Sequence, residues 1–396
     1  MHCKFAWNHL DFKHGGYAPC FRFKRSYLKD SEFDKLPSEV INNGDFIKVR
    51  EELLKDKWPE GCIDCKIQEE SGVLSYRQRS LTHFNTDENI DWDNTNNVTV
   101  QDLQFKLSRA CNYNCRHCDS SSNSTFEKLG RQFPELETKF KKDFAFQHIS
   151  MPNFKIEVPT PSIMNDLFEN ILPNIRTIEF SGGEPFYAVE MYKTLERMID
   201  DPNIDTKKIS LRYNTNMSII NYKGYKIEDL WKEFKRIHVT VSMDGTGHLF
   251  NYFRDGGDYQ TVIDNMKYIA PWVDSFLFVC TTTSYHALYM NDIYNDLSKI
   301  RLDILNVHKD ITVNMRPTFV HWPQVLDIVN LDNDIKEVIN KNTIENNFTK
   351  EFLKRLGGNR TTDISFKELV KLQDELYDNK LDDRLIELKE YVYGSD

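Results

Sequence analysis

Three features are missing from this sequence, and each absence narrows the function. No run of about 18 apolar residues occurs, so the sequence predicts no membrane span. The N-terminus has no positively charged stretch followed by an apolar one, the pattern of a secretory signal peptide. Basic residues are not in excess, because 51 Lys and Arg stand against 61 Asp and Glu, a net charge of −10. This balance argues against a broad nucleic-acid-binding face, although a local basic groove remains open.

Without a signal peptide, the expected compartment is the cytoplasm, where structural disulfides are rare. Those of the eight cysteines that fall at motif spacings are therefore expected to bind metal or do chemistry. The 396 residues suffice for two or three domains, by a rule of thumb of about 100–200 residues each. With 40% hydrophobic and 13% aromatic residues, a packed globular core is expected.

Three cysteines stand together in one short segment. Cys111, Cys115 and Cys118 follow a C-x3-C-x2-C spacing directly after a strand-like run, Gln101 to Ser108. Cysteine thiolates are the usual ligands of iron–sulfur clusters, and a full set numbers four. Three of them on one loop can bind three irons of a [4Fe–4S] cluster and leave the fourth iron open to an outside molecule. A zinc site usually takes its ligands as two pairs, and an odd count argues against disulfides.

This spacing, with the bulky His117 before the last cysteine, resembles the signature of the radical S-adenosylmethionine (SAM) superfamily. The resemblance implies that SAM binds the open iron through its amino and carboxylate groups. It also implies that an electron from the cluster cleaves SAM to a 5′-deoxyadenosyl radical, which abstracts a hydrogen from the substrate. An external electron donor such as flavodoxin or ferredoxin is then an expected partner.

Strand-like runs alternate with helical stretches over residues 98–320, the pattern of a parallel α/β fold. The six runs are Leu103–Leu107, Thr177–Phe180, Ile209–Tyr213, Ile237–Val241, Phe276–Thr281 and Ile311–Met315. Six strands match the partial (β/α)6 TIM-like barrel of the radical SAM family. A charged and aromatic insertion over 119–161 is expected to form a lid or a substrate surface.

The second run is followed by Gly182, Gly183, Glu184 and Pro185. Glycines let backbone approach a ligand closely, but a lone Gly-Gly-Glu can equally be an ordinary strand-to-helix turn. Its place after a strand, downstream of the cysteine loop, resembles the GGE motif of the family. There the backbone carbonyl and the carboxylate receive the SAM amino group.

Two further strand ends resemble SAM-contacting elements of the family. Asn214 and Asn216 follow the third run where similar enzymes have Thr-Asn-Gly, although here the third position is Met217. Capping of a turn by asparagine is the alternative reading of this pair.

Ser242, Asp244 and Gly245 close the fourth run, and Arg254 lies ten residues after Asp244. The S-x-D-G…R pattern resembles one in which Ser and Asp contact the SAM ribose region and Arg meets the SAM carboxylate. Arginine suits that task because its planar fork binds carboxylate with two parallel hydrogen bonds. Asp-Gly could equally be a turn.

The fifth run contains Cys280, which is expected to be a small buried hydrophobe rather than a catalytic thiol. Tyr285 and His286 follow it on a loop from which their side chains can face the cavity of the predicted barrel.

Four more cysteines, Cys3, Cys20, Cys62 and Cys65, precede the predicted barrel. Residues 7–19 read as a β-hairpin with a Gly-Gly turn, and residues 43–57 as a helix that ends before a turn carrying the last two cysteines. This set resembles the SPASM/twitch domains that hold an auxiliary [4Fe–4S] cluster, although in most relatives that domain follows the barrel. Tetrahedral thiolate sites also suit zinc, so a zinc ribbon built from the same residues is the alternative.

The domain organisation predicted here has three parts: an auxiliary-cluster domain of α+β type with its linker at 1–97, the barrel at 98–320, and a helical C-terminal extension at 321–396. The extension carries an amphipathic helical pattern from Phe366 to Leu376. Its contribution to catalysis is not readable from the sequence.

The expected function is oxidative modification of a peptide, with the auxiliary cluster accepting an electron from the substrate radical. Modification of a small molecule such as an aminosugar or nucleotide is the alternative substrate class. A non-catalytic metal-binding partner protein is the remaining alternative, against which the SAM-pocket motifs speak.

Overall fold

The computed structural model describes residues 1–13, 16–24, 35–70, 72, 74–83, 90–118, 122–126, 159–320 and 323–394. The insertion expected over 119–161 lies outside the described residues except at 122–126 and 159–161. The Gly15 position of the predicted hairpin turn also lies outside them.

The chain divides into two compact units. The first comprises Met1–Ser108, Asn153–Arg212 and Asp229–Arg236, and the second comprises Arg109–Pro152, Tyr213–Glu228 and Ile237–Asp396. The predicted boundaries after residues 97 and 320 remain predictions.

The strands are β1 (His9–Lys13), β2 (Gly16–Ala18), β3 (Asp102–Phe105), β4 (Asn114–Cys115), β5 (Thr177–Phe180), β6 (Ser210–Thr215), β7 (Asn221–Tyr222), β8 (Tyr225–Lys226), β9 (Arg236–Ser242), β10 (Arg254–Asp255), β11 (Ser275–Thr282) and β12 (Thr312–Phe319). All six strands predicted from the sequence therefore form, as β3, β5, β6, β9, β11 and β12. Buried residues alternate with more exposed ones along β5, β6, β9 and β11, because successive side chains of a strand point to opposite faces.

The α-helices are α1 (Lys4–Asn8), α2 (Pro37–Ile41), α3 (Gly44–Leu54), α4 (Ile63–Glu70), α5 (Tyr76–His83), α6 (Pro161–Asp166), α7 (Val189–Asp200), α8 (Ile227–Trp231), α9 (Gly247–Phe253), α10 (Tyr259–Ile269), α11 (Met290–Val307), α12 (Asn333–Asn342), α13 (Thr349–Leu356), α14 (Phe366–Leu376) and α15 (Ile386–Tyr393). The predicted helices at 43–57 and 366–376 are confirmed as α3 and α14. None of the helices in the described ranges is long and apolar enough to cross a membrane.

In the first unit the strands follow the order β2-β1-β3-β5. Strand β1 pairs antiparallel with β2, which confirms the predicted N-terminal hairpin, and it also pairs parallel with β3. Strand β3 pairs parallel with β5. The pairing of β1 with β3 is not foreseen by the sequence analysis, and it joins the hairpin to the first strand of the predicted barrel.

The second unit has β9 and β12 on either side of β11, all parallel. Strand β6 begins in the first unit and ends in the second. The fold is therefore α/β with mostly parallel strands. In such folds ligands gather where the strands end, and the sequence motifs at the ends of β5, β6 and β9 stand at such positions.

A buried arginine fixes the N-terminal segment of the first unit. Arg50 on α3 donates to the backbone carbonyls of Ala6 (3.2 Å), Ile41 (2.8 Å) and Thr95 (2.7 Å). Burial lowers the pKa of this guanidinium to about 10. Three separate stretches of chain are thereby tied to one helix, because each carbonyl accepts from the same side chain.

Candidate functional site

The cysteine loop of the second unit is a tight turn held by hydrogen bonds from a backbone N–H and from an asparagine side chain. The N–H of Cys118 donates to the carbonyl of Cys115 at 3.0 Å, and the Asn123 side chain donates to the carbonyl of Tyr113 at 2.6 Å. Cys115 is buried, whereas Cys111 and Cys118 are half-buried. Burial raises the pKa of the Cys115 thiol to about 12, so metal binding must displace its proton.

A second short strand lies against this loop. Strands β4 and β10 pair antiparallel, with Arg254 opposite Cys115. The next residues, Gly256 and Gly257, approach the loop closely, since a Cβ on Gly256 would lie 3.2 Å from the carbonyl of Asn112. Gly256 also has φ of +84°, a conformation that L side chains rarely adopt. The sequence analysis missed these two glycines, whose only signal is their adjacency to Arg254.

Arg254 forms a buried pair with Asp244. Its Nη2 lies 2.5 Å from Asp244 Oδ2, and its Nη1 lies 3.6 Å from Cys115 Sγ. The other carboxylate oxygen of Asp244 accepts from the N–H of Thr281 at 2.6 Å. Burial alone would raise the pKa of Asp244, but the nearby charges, that of Arg254 foremost, hold it below its usual value. Three predicted site residues, Cys115, Asp244 and Arg254, are thus brought together.

Two histidines pack against the ring of Phe253. The His117 ring stacks on Phe253 at 5.0 Å between centroids with an angle of 1°, and the His286 ring meets it edge-on at 4.4 Å. His286 is 0% exposed, and its Nδ1 accepts from the N–H of Thr283 at 3.0 Å. The proton of the neutral ring therefore lies on Nε2. Burial lowers the pKa of His286 to about 4, so this ring is neutral at pH 7.

Asn216 lies beside the first cysteine of the loop. Its Nδ2 is 3.1 Å from Asn112 Oδ1 and 4.0 Å from Cys111 Sγ. The following residue, Met217, has φ of +58°, where similar enzymes have glycine. Met217 therefore adopts a left-handed backbone conformation, at the usual cost for a side chain in that region. Ser242 ends β9 and pairs with Val279 of β11.

The Gly-Gly-Glu segment belongs to the first unit. The N–H of Gly183 donates to the carbonyl of Ser108 at 3.1 Å, and Gly182 has φ of +128°. A Cβ on Gly182 would lie 2.5 Å from that same carbonyl oxygen, so only glycine fits. Glu184 is buried, and its carboxylate accepts from the N–H of Phe186 at 3.1 Å, at the start of a 3₁₀ turn that Pro185 opens.

The four N-terminal cysteines, Cys3, Cys20, Cys62 and Cys65, line one cavity of the first unit. The remaining wall is largely apolar, formed among others by Phe5, Phe23, Val49, Leu53 and Trp58. Burial raises the pKa of the Cys3 thiol to about 11, and burial and the neighbouring sulfurs raise that of Cys20 well above its usual value. Gly61 packs against Phe23 so closely that a Cβ would meet the ring at 2.2 Å. The hairpin and the α3–α4 connection thus bring together all four predicted ligands.

The side chain of Arg77 forms part of the wall of this cavity. Arg77 pairs with Glu69 at 2.5 Å, donates to the carbonyl of His2 at 2.8 Å, and lies over the Trp58 ring at 5.6 Å. Its pKa is raised, chiefly by Glu69, with smaller contributions from Cys3 and Cys65. Sequence reasoning missed Arg77, which carries no motif.

Both sets of cysteines carry the donor atoms that an iron–sulfur cluster requires. Across the described ranges, no three His, Cys, Asp or Glu side chains are arranged to hold a single metal ion. The four N-terminal thiols surround a shared cavity rather than one point. An iron–sulfur cluster binds each thiolate at a different iron, so both donor sets fit a cluster in their chemistry.

Part of the chain is similar to known proteins. Residues 105–271 match the family model described as the radical SAM superfamily. The chain is 24% identical over 330 residues to the radical SAM cyclopropyl synthase TigE of Paramaledivibacter caminithermalis, covering 79% of this chain and 60% of TigE. The chain thus spans about 60% of the length of this curated relative.

Two solved structures resemble the chain at low similarity. One is anSMEcpe with bound AdoMet, at 18% identity and a TM-score of 0.39, covering 75% of this chain and 67% of that one. The other is SuiB of Streptococcus suis bound to precursor peptide SuiA, at 14% identity and a TM-score of 0.31, covering 70% and 67%.

Proposed function

We propose that this chain, which contains a radical SAM superfamily domain over residues 105–271, is an enzyme that cleaves SAM reductively and oxidises its substrate through a radical. The observation that carries the proposal is the loop of Cys111, Cys115 and Cys118 with the Asp244–Arg254 pair held against it. Cys111, Cys115 and Cys118 would hold a [4Fe–4S] cluster, which would supply the electron for the reductive cleavage of SAM. The protein would bind and orient SAM and the substrate and keep water out of the site.

The loop cysteines are proposed as the three ligands of the site cluster. The residues proposed to meet SAM are His117, Gly182, Gly183, Glu184, Pro185, Asn216, Ser242, Asp244 and Arg254. Arg254 brings a permanent positive charge to the cysteine loop, and Asp244 orients its fork. Glu184 offers a buried carboxylate for an amino group, and the glycines before it leave room for backbone to approach a ligand.

Cys3, Cys20, Cys62 and Cys65 are proposed to hold a second [4Fe–4S] cluster in a SPASM/twitch-like domain over 1–97. One observation supports this proposal: the four thiols line a single, largely apolar cavity, while a zinc ion bound by the same residues is the alternative. Zinc would draw four sulfurs to about 2.3 Å from one ion. Four ligands leave no open iron, so the proposed role is electron transfer from the substrate radical. The six parallel strands are proposed to form the partial barrel at 98–320.

A peptide is the proposed substrate class, and a small molecule such as an aminosugar or nucleotide is the alternative. The relative TigE is named a cyclopropyl synthase, and SuiB is described with a precursor peptide. An external flavodoxin or ferredoxin is the proposed electron donor, and the cytoplasm the proposed compartment.

Anaerobic reconstitution tests the proposal. Dithionite-reduced protein should convert SAM to 5′-deoxyadenosine, and Mössbauer spectroscopy should count two [4Fe–4S] clusters. If protein that carries iron does not cleave SAM, the chain is instead a non-catalytic metal-binding partner protein. Stoichiometric zinc with a single cluster would assign the N-terminal cysteines to a structural zinc site.

A further inference from the structure

The residue between Cys115 and His117 is an arginine whose side chain is fully buried. Arg116 Nε donates to the carbonyl of Tyr252 at 3.0 Å, and the guanidinium lies over the Tyr252 ring, 3.9 Å from its centroid. Its backbone N–H donates to the carbonyl of Phe253 at 2.9 Å. One side of the cysteine loop is therefore fixed to the end of α9.

The other contacts of Arg116 come from the C-terminal part of the second unit. Its Nη2 lies 3.1 Å from Asp374 Oδ1 and donates to the carbonyl of Asn379 at 2.5 Å. The Tyr377 ring lies on the guanidinium, 4.7 Å from its centroid. Gln373 reaches the loop backbone directly, because its Nε2 donates to the carbonyl of Arg116 at 2.8 Å. Helix α14 and the residues after it thus hold both the side chain and the backbone of this residue.

Asp374 is itself held by three further donors. Its carboxylate accepts from Tyr252 Oη at 2.8 Å, from Tyr393 Oη at 3.0 Å and from the N–H of Leu381 at 3.1 Å. These contacts join α9, α14 and α15 to a single carboxylate, which is buried. The position of Arg116 is therefore set by a network of fixed groups rather than by one flexible pair.

We infer that Asp374 and Gln373 are positioning residues of the cluster site, acting through Arg116 on the loop that carries Cys115 and Cys118. The inference rests on the proposed function, since it concerns the cluster proposed for that loop. The helical extension is then part of the cofactor site, although it supplies no ligand.

Two physical considerations support a positioning role over a purely stabilising one. A buried ion pair gains little stability over apolar packing, because desolvation offsets the attraction, so its placement inside the cysteine loop favours a geometric task. Groups that orient metal ligands without binding the metal govern metal affinity, and hydrogen bonding and exposure around the sulfurs govern cluster potential. Helix α14 contacts both the side chain and the backbone of Arg116, so it is placed to affect both quantities.

Full-length, anaerobically reconstituted Asp374→Asn and Gln373→Met test the inference beside two controls. Glu375→Gln makes the matching charge change one residue away on the exposed face of α14. Asp327→Asn changes a carboxylate as buried as Asp374 that pairs with Arg355, an arginine 33% exposed, elsewhere in the C-terminal part of the chain. The readouts are the rate of iron release to a ferrous chelator and the change in the EPR spectrum of the reduced cluster when SAM is added.

Asp374→Asn should release iron from the loop roughly 10- to 100-fold faster than wild type and show a diminished SAM-dependent EPR change. Gln373→Met, which keeps side-chain bulk and charge, should change both readouts in the same direction and remains informative if Asp374→Asn does not fold. Both controls should match wild type. Wild-type readouts from Gln373→Met, or equal effects from Asp327→Asn, overturn the positioning role alone. A wild-type protein without a SAM-dependent EPR change overturns the proposed function, and the inference with it.

Discussion

Arg254 Nη1 lies 3.6 Å from Cys115 Sγ, and the two residues are directly opposite each other in the pairing of β4 with β10. The guanidinium is held there by Asp244, so a permanent positive charge faces the sulfur of a proposed cluster ligand. Positive charge and hydrogen bonds at cluster sulfurs favour the reduced state and raise the reduction potential. This relationship gives Arg254 an expected role in cluster energetics as well as in binding SAM.

Replacing Arg254 by Ala should therefore change two quantities. SAM affinity should fall by about 2–5 kcal/mol, because the SAM carboxylate loses the cationic partner proposed for it. The site cluster should also become harder to reduce, since a positive charge and a donor are removed from Cys115 Sγ. Calorimetry and EPR-monitored redox titration measure the two effects. Arg254→Lys keeps the charge but not the fork, so it should lie between Ala and wild type. Unaltered SAM affinity in Arg254→Ala would remove this residue from the site.

Joint replacement of Cys111, Cys115 and Cys118 by Ala should abolish 5′-deoxyadenosine formation, because the site cluster loses all its protein ligands. Iron should fall from about eight to about four atoms per chain if the N-terminal cysteines keep a second four-iron cluster. Cys280→Ala is the matched control, since that cysteine is fully buried in β11 and should affect neither readout. A triple variant that still cleaves SAM after reduction by dithionite contradicts the ligand assignment.

Gly182→Ala and Gly224→Ala form a matched pair. Both glycines have positive φ, +128° and +89°, but only Gly182 has an atom within 4 Å of the added carbon. Each substitution should lower the free energy of unfolding by about 1–2 kcal/mol, because alanine is strained in a backbone conformation with positive φ. Gly182→Ala should lose more, because its methyl meets the Ser108 carbonyl, and it should also bind SAM more weakly. Urea denaturation and calorimetry measure both. Equal losses for the two variants, with SAM affinity intact, would show that the close approach is unimportant.

His286 predicts a pH dependence of stability. Its pKa is about 4 in the folded protein and about 6.5 when unfolded, so the unfolded chain takes up a proton first as the pH falls. Stability is therefore fully present above about pH 6.5 and is lost progressively toward pH 4, by about 2 kcal/mol at pH 5. Urea unfolding of metal-free protein at pH 7 and 5 should show a smaller loss in His286→Gln than in wild type. Identical losses would mean that the ring is solvated or paired when protonated.

Local pattern made much of the molecule predictable. The six strands follow from alternating or continuous apolar runs, and the cysteine loop from its spacing; the family match over 105–271 confirms the radical SAM resemblance for that domain. Nothing local signals the partners of Arg116, since Asn379 lies 263 residues away in sequence. From the sequence alone, a charged residue inside a metal-binding motif is expected to face solvent. Only the fold shows that the Arg116 side chain is buried.

The N-terminal hairpin shows the same limit. Its strands and turn are visible in the sequence, but the pairing of β1 with β3 depends on residues that meet only in the fold, such as Gln101 donating to Asn8 across 93 residues. The four cysteines line one cavity, as their prediction as one set of ligands requires, because the elements near them are recognisable in the sequence. Arg77 could not be predicted as a neighbour of these cysteines, because a single arginine that lines a cavity leaves no pattern in the sequence.

Strand β2 is three residues long and is the outermost described strand on its side of the sheet. A strand edge with unpaired amides and carbonyls invites pairing with another chain, and a very short outer strand limits that risk. Deleting residues 1–20 to remove Cys3 and Cys20 would also strip β1 and β2 and lay bare the edge of β3. Such a truncation would tend to self-associate whatever its metal content, so only point substitutions separate loss of a ligand from loss of an edge.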